Sequence, residues 1–262
     1  MTLDKLYHLF GIKKLLLEGG SRIDEAFYIG EEKMLNKKFG KNIDRFVSDY
    51  VVFDLETTGI STYSDKVVEI SAIKVIEGKP VEEFSELVNP QCHIPAGASA
   101  VNGIDDEMVK EAPIFSEVLP RFIEFIEDFV LVGHNIESFD LKFIYRDSET
   151  FLGKIPDNDY VDTLSMARKC LPEMSHHRMT DLAMHYGIST EGAHRALNDC
   201  RMTRQVYELL CSEMKLLESG KKVIPKCKYC GRTMKLRNGK FGEFFGCSGY
   251  PNCRYTEKVK RV

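Results

Sequence analysis

The chain has 262 residues with a net charge of −4, and 43% of them are apolar, 29% charged and 10% aromatic. This is the balance of a globular protein with length for one or two cored domains. No apolar run approaches a membrane span, so a transmembrane segment and a membrane partner are not expected. The net charge hides an asymmetry: residues 219–262 carry +10, with 12 Lys/Arg against Glu243 and Glu257, and the rest carries −14. An acidic body with a basic tail directs the tail toward a polyanion.

The opening stretch "MTLDKLYHLFGIKKLLLEGG" has Asp4 early and basic residues inside its apolar part. It is expected to form an amphipathic helix rather than a secretory signal. Residues 1–49 as a whole are expected to be helical, broken at Gly11, Gly19-Gly20 and Gly40, and they carry no recognisable chemistry. From Tyr50 the pattern turns strand-like through "YVVFDLE", "KVVEISAIKVIEG" and "EEFSELVN", with a hairpin turn expected at Gly78-Lys79. Three such strands in succession predict an antiparallel start to a sheet. After a loop around "HIPAGASAVNGIDDEMV", the spacing of "FSEVLPRFIEFIEDF" suits a helix, which Pro120 should kink or start late. A buried strand "VLVGHN", a helix through "FDLKFIYRDSE", a short strand "DYVDT" and further helices follow. The last helix is expected from Ala193 to about Glu218, ending at Ser219-Gly220. The body is predicted to be mixed α/β, with helices packed on one sheet.

Cys92, Cys170, Cys200 and Cys211 are scattered, whereas Cys227, Cys230, Cys247 and Cys253 cluster at the end. That distribution suits a reducing, cytoplasmic compartment and one metal site rather than a disulfide scaffold. Within "VVFDLETTG" the two-residue period of a strand places Val51, Phe53 and Leu55 on one face and Val52, Asp54 and Glu56 on the other. Two like charges side by side are explained either by a solvated edge strand or by a divalent cation that reverses the sign of their interaction. "GHNIESFDLKF" adds Asp140 at a helix start, and "AHRALNDC" adds His194 and Asp199. Four carboxylates with one histidine match the needs of two-metal phosphoryl chemistry. Two Mg²⁺ or Mn²⁺ ions take oxygen ligands, and an imidazole can accept the proton of an attacking water. Singly, His194 reads as an ordinary surface histidine. His134 reads as a structural hydrogen-bonder, Glu137, Asp105 and Asp106 as solvated acids, and Phe139 with Phe143 as core.

Together, "FDLETTG", "GHNIESFD" and "HRALNDC" resemble the three ordered motifs of the DEDDh exonuclease family, which includes the proofreading subunit or domain of bacterial replicative polymerases. The resemblance spans Tyr50 to about Leu217. It implies a ribonuclease-H-like fold, a 3′–5′ exonuclease releasing nucleoside monophosphates, and a role in replication proofreading or repair beside a DNA polymerase or repair partner. By position, Asp54 would bridge both metals, Glu56 and Asp199 would hold the metal that activates water, Asp140 would support the other, and His194 would be the general base. "VNGIDDEM" is similar to the family loop that cradles the terminal nucleotide, making Asn102, Gly103 and Ile104 substrate-binding candidates, with Thr57 and Asn135 beside them. The second motif departs from the family by one extra residue: Ile136, Glu137 and Ser138 stand between Asn135 and Phe139. The Asp140-to-Phe143 spacing is kept, so a loop that absorbs the insertion would preserve the helix.

At the C-terminus, C-x₂-C and C-x₅-C pairs flank a hairpin-like span through Gly239, a pattern suited to one tetrahedral zinc on Cys227, Cys230, Cys247 and Cys253. "GCSGYPNC" makes the segment similar to the C-terminal zinc ribbons of bacterial type IA topoisomerases, which implies binding to single-stranded nucleic acid. Lys226, Lys228, Arg232, Lys235, Arg237 and Lys240 then become phosphate contacts. Phe241, Phe244, Phe245 and Tyr250 become stacking candidates, or else the ribbon's own core. The expected division is 1–49, helical and of unassigned role; 50–218, exonuclease; and 219–262, ribbon. Single-stranded DNA is the favoured substrate. An RNA-trimming 3′–5′ exoribonuclease and a non-catalytic nucleic-acid-binding adapter are the alternatives.

Overall fold

The computed structural model describes residues 39–43, 45–220, 225–240 and 242–258. The expected helices within residues 1–38 lie outside these, as does Phe241. Three strands come first: β1 (Tyr50–Thr57), β2 (Val67–Ile76) and β3 (Lys79–Leu87). They form the antiparallel meander that the pattern predicted. The hairpin turn falls one residue earlier than expected, on Glu77 (φ 51°) and Gly78 (φ 72°). Two successive left-handed residues match the right-handed twist of the flanking strands, so Lys79 is already in β3.

The stretch expected to be a loop contains two short helices, α1 (Ala96–Asn102) and α2 (Asp106–Val109). Asp105 and Asp106 are therefore not simply solvated acids. Asp105 caps α2 by accepting from the Met108 N–H (3.0 Å), and Asp106 accepts from the Ile94 N–H (2.8 Å) and meets His93 Nδ1 (2.5 Å). Helix α3 (Phe115–Ile126) starts five residues before Pro120 and runs through it, so the proline does not mark its start. Pro120 sits exposed in the helix, where its missing N–H leaves only the Ser116 carbonyl to water.

Strand β4 (Val130–Gly133), helix α4 (Asp140–Leu152), strand β5 (Tyr160–Asp162) and helices α5 (Thr163–Cys170), α6 (Met179–Tyr186) and α7 (Ala196–Glu218) complete the body. Helix α7 starts three residues later than expected, because His194 has φ 67° and Arg195 is extended. The sheet order is β3-β2-β1-β4-β5, with β4 and β5 parallel to β1, so β1 is central and not a solvated edge. Residues 40–43 are not helical; Ile43 N donates to Tyr160 O (2.8 Å) along β5.

Strand alternation divides the core. Val51, Phe53 and Leu55 pack with α3 and α4 residues such as Phe122 and Phe143, while Tyr50 and Val52 pack with Val206, Tyr207 and Leu210 of α7. Phe139 and Phe143 contact each other in the first of these clusters, as expected of core residues (5.2 Å between centroids). Asp54 and Glu56 continue the face that packs on α7. They therefore lie where that helix begins.

The ribbon is a second, three-stranded sheet of β6 (Met234–Gly239), β7 (Gly242–Cys247) and β8 (Thr256–Lys258), all antiparallel. Among its described residues the buried apolar core is Cys227, Met234 and Cys247, with Phe245, Cys253 and Tyr255 packed partly against it. Leu236 N donates to Glu173 O of the body (2.5 Å). No helix among the described residues is long and apolar enough to cross a membrane.

Candidate active site and metal centres

Asp54, Glu56 and Asp199 bring one carboxylate oxygen each to within 4.8 Å of one another. Strand β1 supplies the first two and the first turn of α7 the third. Burial holds Asp54 well above the usual carboxylate range, and the charges of Asp140, Asp199, Glu56 and Glu69 add to it. Glu56 is pushed up to about 8, by burial first and then by Asp199, Glu69 and Asp140, with Arg195 opposing. Burial likewise raises Asp199, against the His194 N–H that donates to its Oδ2 (2.9 Å). Several acids thus share a partly dry site with too little positive charge, and a divalent cation removes that imbalance. The all-oxygen donor set suits Mg²⁺ or Mn²⁺.

Asp140 is adjacent but outside this triplet. Its Oδ1 accepts from the Leu55 N–H (3.2 Å), and burial raises it. The inserted residue of the second motif is absorbed before it. Asn135 takes φ 61°, its carbonyl accepts from Ser138 and Phe139, and Leu141 N reaches back to Ile136 O (3.0 Å) in a wide turn. Ile136 is fully buried against Gly133, where a Cβ would lie 2.8 Å from its Cδ1. The longer loop thus buries one of its three residues in the core, and Asp140 still opens α4.

His194 lies exposed just before α7. Its left-handed backbone turns the chain so that its own N–H meets Asp199. His134 is a structural group, as expected. Its Nδ1 lies 3.0 Å from Thr163 Oγ1, and burial lowers it to about 4. Among the nucleotide-loop candidates, Gly103 is exposed at φ 71°. Asn102 is buried, its Oδ1 accepting from Ile104 N (3.0 Å) and its Nδ2 donating to Thr57 O (3.4 Å). The Ile104 side chain is wholly in the core beside Val68, Ile94 and Val109, so only its main chain is left for a ligand. Thr57 donates its hydroxyl to Gly59 O (2.7 Å). Asn135 donates its N–H to Asp162 Oδ1 (2.8 Å), which also caps α5 at Leu164 (2.9 Å).

Sequence reasoning missed the clamp on this site. Glu69 pairs with Glu56 across β1 and β2, is 4% exposed, and binds Arg195 (2.8 and 3.2 Å) and Ala196 N (3.0 Å). It ties the segment carrying His194 and Asp199 to the sheet and takes both hydrogen-bonding arms of Arg195, which offsets the crowding at Glu56 only in part. The available signal was an acid on the α7-facing side of "VVEISAI", beside Ser71 and Ile73. Cys200 adds a second tie, with Sγ 3.2 Å from Ser71 O.

In the ribbon, the four sulfurs of Cys227, Cys230, Cys247 and Cys253 lie within 4.8 Å of one another. The Cys230–Cys247 separation is 3.3 Å and the Cys227–Cys253 separation 3.7 Å. These are far too long for disulfides, and near the roughly 3.8 Å edge of a tetrahedron with Zn–S of about 2.3 Å. The four thiols thus fit a single tetrahedral Zn²⁺. Of the stacking candidates, Phe245 packs against the small core, Phe244 is half-buried and Tyr250 is exposed. Tyr229, not anticipated, is 74% exposed and meets Tyr255 edge-on. Lys228 sits over both of those rings.

Comparison with known proteins agrees with this geometry. Residues 51–207 match the family described as Exonuclease, and residues 224–262 match the topoisomerase DNA-binding C4 zinc finger. The chain is 36% identical over 165 residues to the DNA polymerase III subunit epsilon of Aquifex aeolicus, covering 63% of this chain and 81% of that one. It is 38% identical over 172 residues to the PolC-type DNA polymerase III of Clostridium perfringens, covering 66% of this chain and only 12% of that protein. Among solved structures, E. coli Exonuclease I in complex with a dT13 oligonucleotide superposes with a TM-score of 0.59 at 18% identity, over 79% of this chain and 54% of that one. That likeness carries the fold. With the match extending over more than half its length, the chain belongs to the exonuclease family.

Proposed function

We propose that the protein is a metal-dependent 3′–5′ exonuclease that shortens single-stranded DNA by one nucleoside monophosphate at a time. One observation carries this reading: Asp54, Glu56 and Asp199 converge within 4.8 Å, where burial and mutual repulsion hold Asp54 well above the carboxylate range. Asp54 and Asp140 would hold one divalent ion, and Asp54, Glu56 and Asp199 the other. When bound, two such ions stabilise the attacking and leaving oxygens of a phosphodiester displacement. The remaining work falls to the chain. His194, exposed at the mouth, accepts the proton of the attacking water. Asp199 orients it by holding its N–H. The Glu69–Arg195 pair fixes that segment, which keeps the base and the carboxylates in one geometry. The exposed Gly103 and the main chain of Ile104 border the seat of the terminal nucleotide, with Asn102 and Thr57 shaping that loop. Asn135 lies on the opposite side, at the end of β4.

In this reading residues 50–218 perform the chemistry and residues 219–262 hold the strand, while residues 1–49 have no assigned role. The relatives named as polymerase III subunits support a place beside a replicative polymerase or in repair, in the cytoplasm. The test is digestion of matched 3′- and 5′-labelled oligonucleotides, DNA and RNA, single-stranded, paired and mismatched. The expected result is immediate release of the 3′ label as a mononucleotide, a descending ladder from the 5′ label, and dependence on Mg²⁺ or Mn²⁺. Internal fragments, or full activity in excess chelator, overturn the reading. Faster loss of RNA than of DNA overturns the substrate assignment alone.

A further inference from the structure

A cleft of about 760 Å³ lies between β6 of the ribbon and the loop joining α5 to α6. The titratable side chains lining it are His134, Arg168, His176, His177, Arg178 and Lys235, and none is acidic. In a body of net charge −14 that selection is informative. Arg178 has a partner, Asp181, at 3.2 Å. Arg168 and Lys235 meet no acid among the described residues, and Arg168 is exposed. Two free cations on opposing walls suit a ligand that carries successive negative charges.

The cleft also has a direction. Asn135 lines it at the end of β4. The parallel register pairs Val52 with Val132, so Asp54 stands level with His134, two residues further along. The cleft therefore opens at the same end of the sheet as the carboxylates, on the β4 side of β1. Its outer wall is fixed in place: Leu236, next to Lys235, donates its N–H to Glu173 O (2.5 Å).

We propose that this cleft holds the phosphate backbone of the single strand whose 3′ end is in the active site, with Arg168 and Lys235 each taking a phosphate. The ribbon is then one wall of the substrate channel rather than a tethered accessory. This inference rests on the exonuclease reading above, and the experiment separates the two.

The full-length protein would be compared with Arg168→Ala, Lys235→Ala and the double variant, with Arg168→Lys as the charge-keeping control and Lys79→Ala, on the far sheet edge, as the charge-removal control. Binding of a phosphorothioate dT20 would be measured by anisotropy against salt, and kcat and KM on dT20 and on a dinucleotide. The double variant is expected to bind dT20 on the order of tenfold more weakly. Its log K against log salt slope should be shallower by about 1.4, from about 0.7 per phosphate lost on a single strand. The kinetic loss should appear in KM on dT20 and stay under twofold on the dinucleotide, while Arg168→Lys keeps most of the affinity. An unchanged slope and affinity in the double variant, or an equal loss on long and short substrates, overturns the proposal. If the wild-type protein binds dT20 but releases no mononucleotide, the exonuclease reading fails and the binding data still decide the cleft.

Discussion

The carboxylate site and the cysteine ribbon are both clusters of metal-ligating side chains, yet they stand on unequal foundations. Asp54, Glu56 and Asp199 are carried by a five-stranded sheet covered on both faces, with residues such as Phe53, Val206 and Tyr207 wholly buried. That scaffold has a core independent of any ion. Among its described residues the ribbon buries only Cys227, Met234 and Cys247 in its apolar core, too little for a sheet of that size to fold unaided. The difference separates two uses of metal: in the body it completes a site that already exists, and in the ribbon it completes the fold.

The sharpest test removes the ribbon's ligands. Changing Cys227 and Cys230 to Ser should unfold residues 225–258, because structural zinc contributes about 10–16 kcal/mol to domains of this kind. Heteronuclear NMR should show the ribbon resonances collapse while those of the body persist. A ribbon that stays folded without zinc would erase the contrast. The opposite substitution, Asp54→Ala, should abolish turnover and leave the fold intact, measured by single-turnover release and by circular dichroism. It is expected to raise the melting temperature of the metal-free protein near neutral pH, since a buried carboxyl that must take up a proton on folding is gone.

His194→Ala comes next, with a loss of about 10²–10⁴ in turnover and little change in divalent-ion affinity. A variant with near-normal single-turnover rate would move the base elsewhere. A smaller effect is expected at the clamp. Glu69→Ala should lower stability by roughly 1–3 kcal/mol, below the figure for a fully buried pair because the Arg195 side chain is 43% exposed. Chemical denaturation would measure it, and a change within error would mean that Arg195 holds nothing.

The pH dependence is the mildest. Glu56 is raised to about 8, and Asp54 and Asp199 are raised as well. The folded, metal-free state therefore binds more protons than the unfolded chain above about pH 4, where free carboxylates ionise. The stability this gives is complete below that point and lost as pH rises through about 8. Calorimetry without metal should show the melting temperature falling across that window, and saturating Mg²⁺ should flatten the fall. A metal-free protein that gains stability over the same range would contradict the crowding of the carboxylates.

Much of this was legible before any coordinate. The two-residue period of "VVFDLE" already placed Asp54 and Glu56 together, because strand geometry alone decides which side chains share a face. The spacing of the four cysteines already grouped them as one cluster, since short C-x₂-C turns bring sulfurs together locally. Where the reading fell short, the deciding contact was distant in sequence. Glu69 carried no assignment in the sequence, and its clamp forms only once β2 lies beside β1 and Arg195 comes across from 126 positions away. The extra residue among Ile136, Glu137 and Ser138 left the second motif's loop open, and only the packed core shows Ile136 filling space beside Gly133. Ile104 looked like a ligand contact in a loop, but burial turned its side chain inward. The basic cleft joins residues 134, 168 and 235. Composition set the charge of each half of the chain, but charges from separate segments meet only when packing brings their backbones together, and that is a property of the tertiary structure.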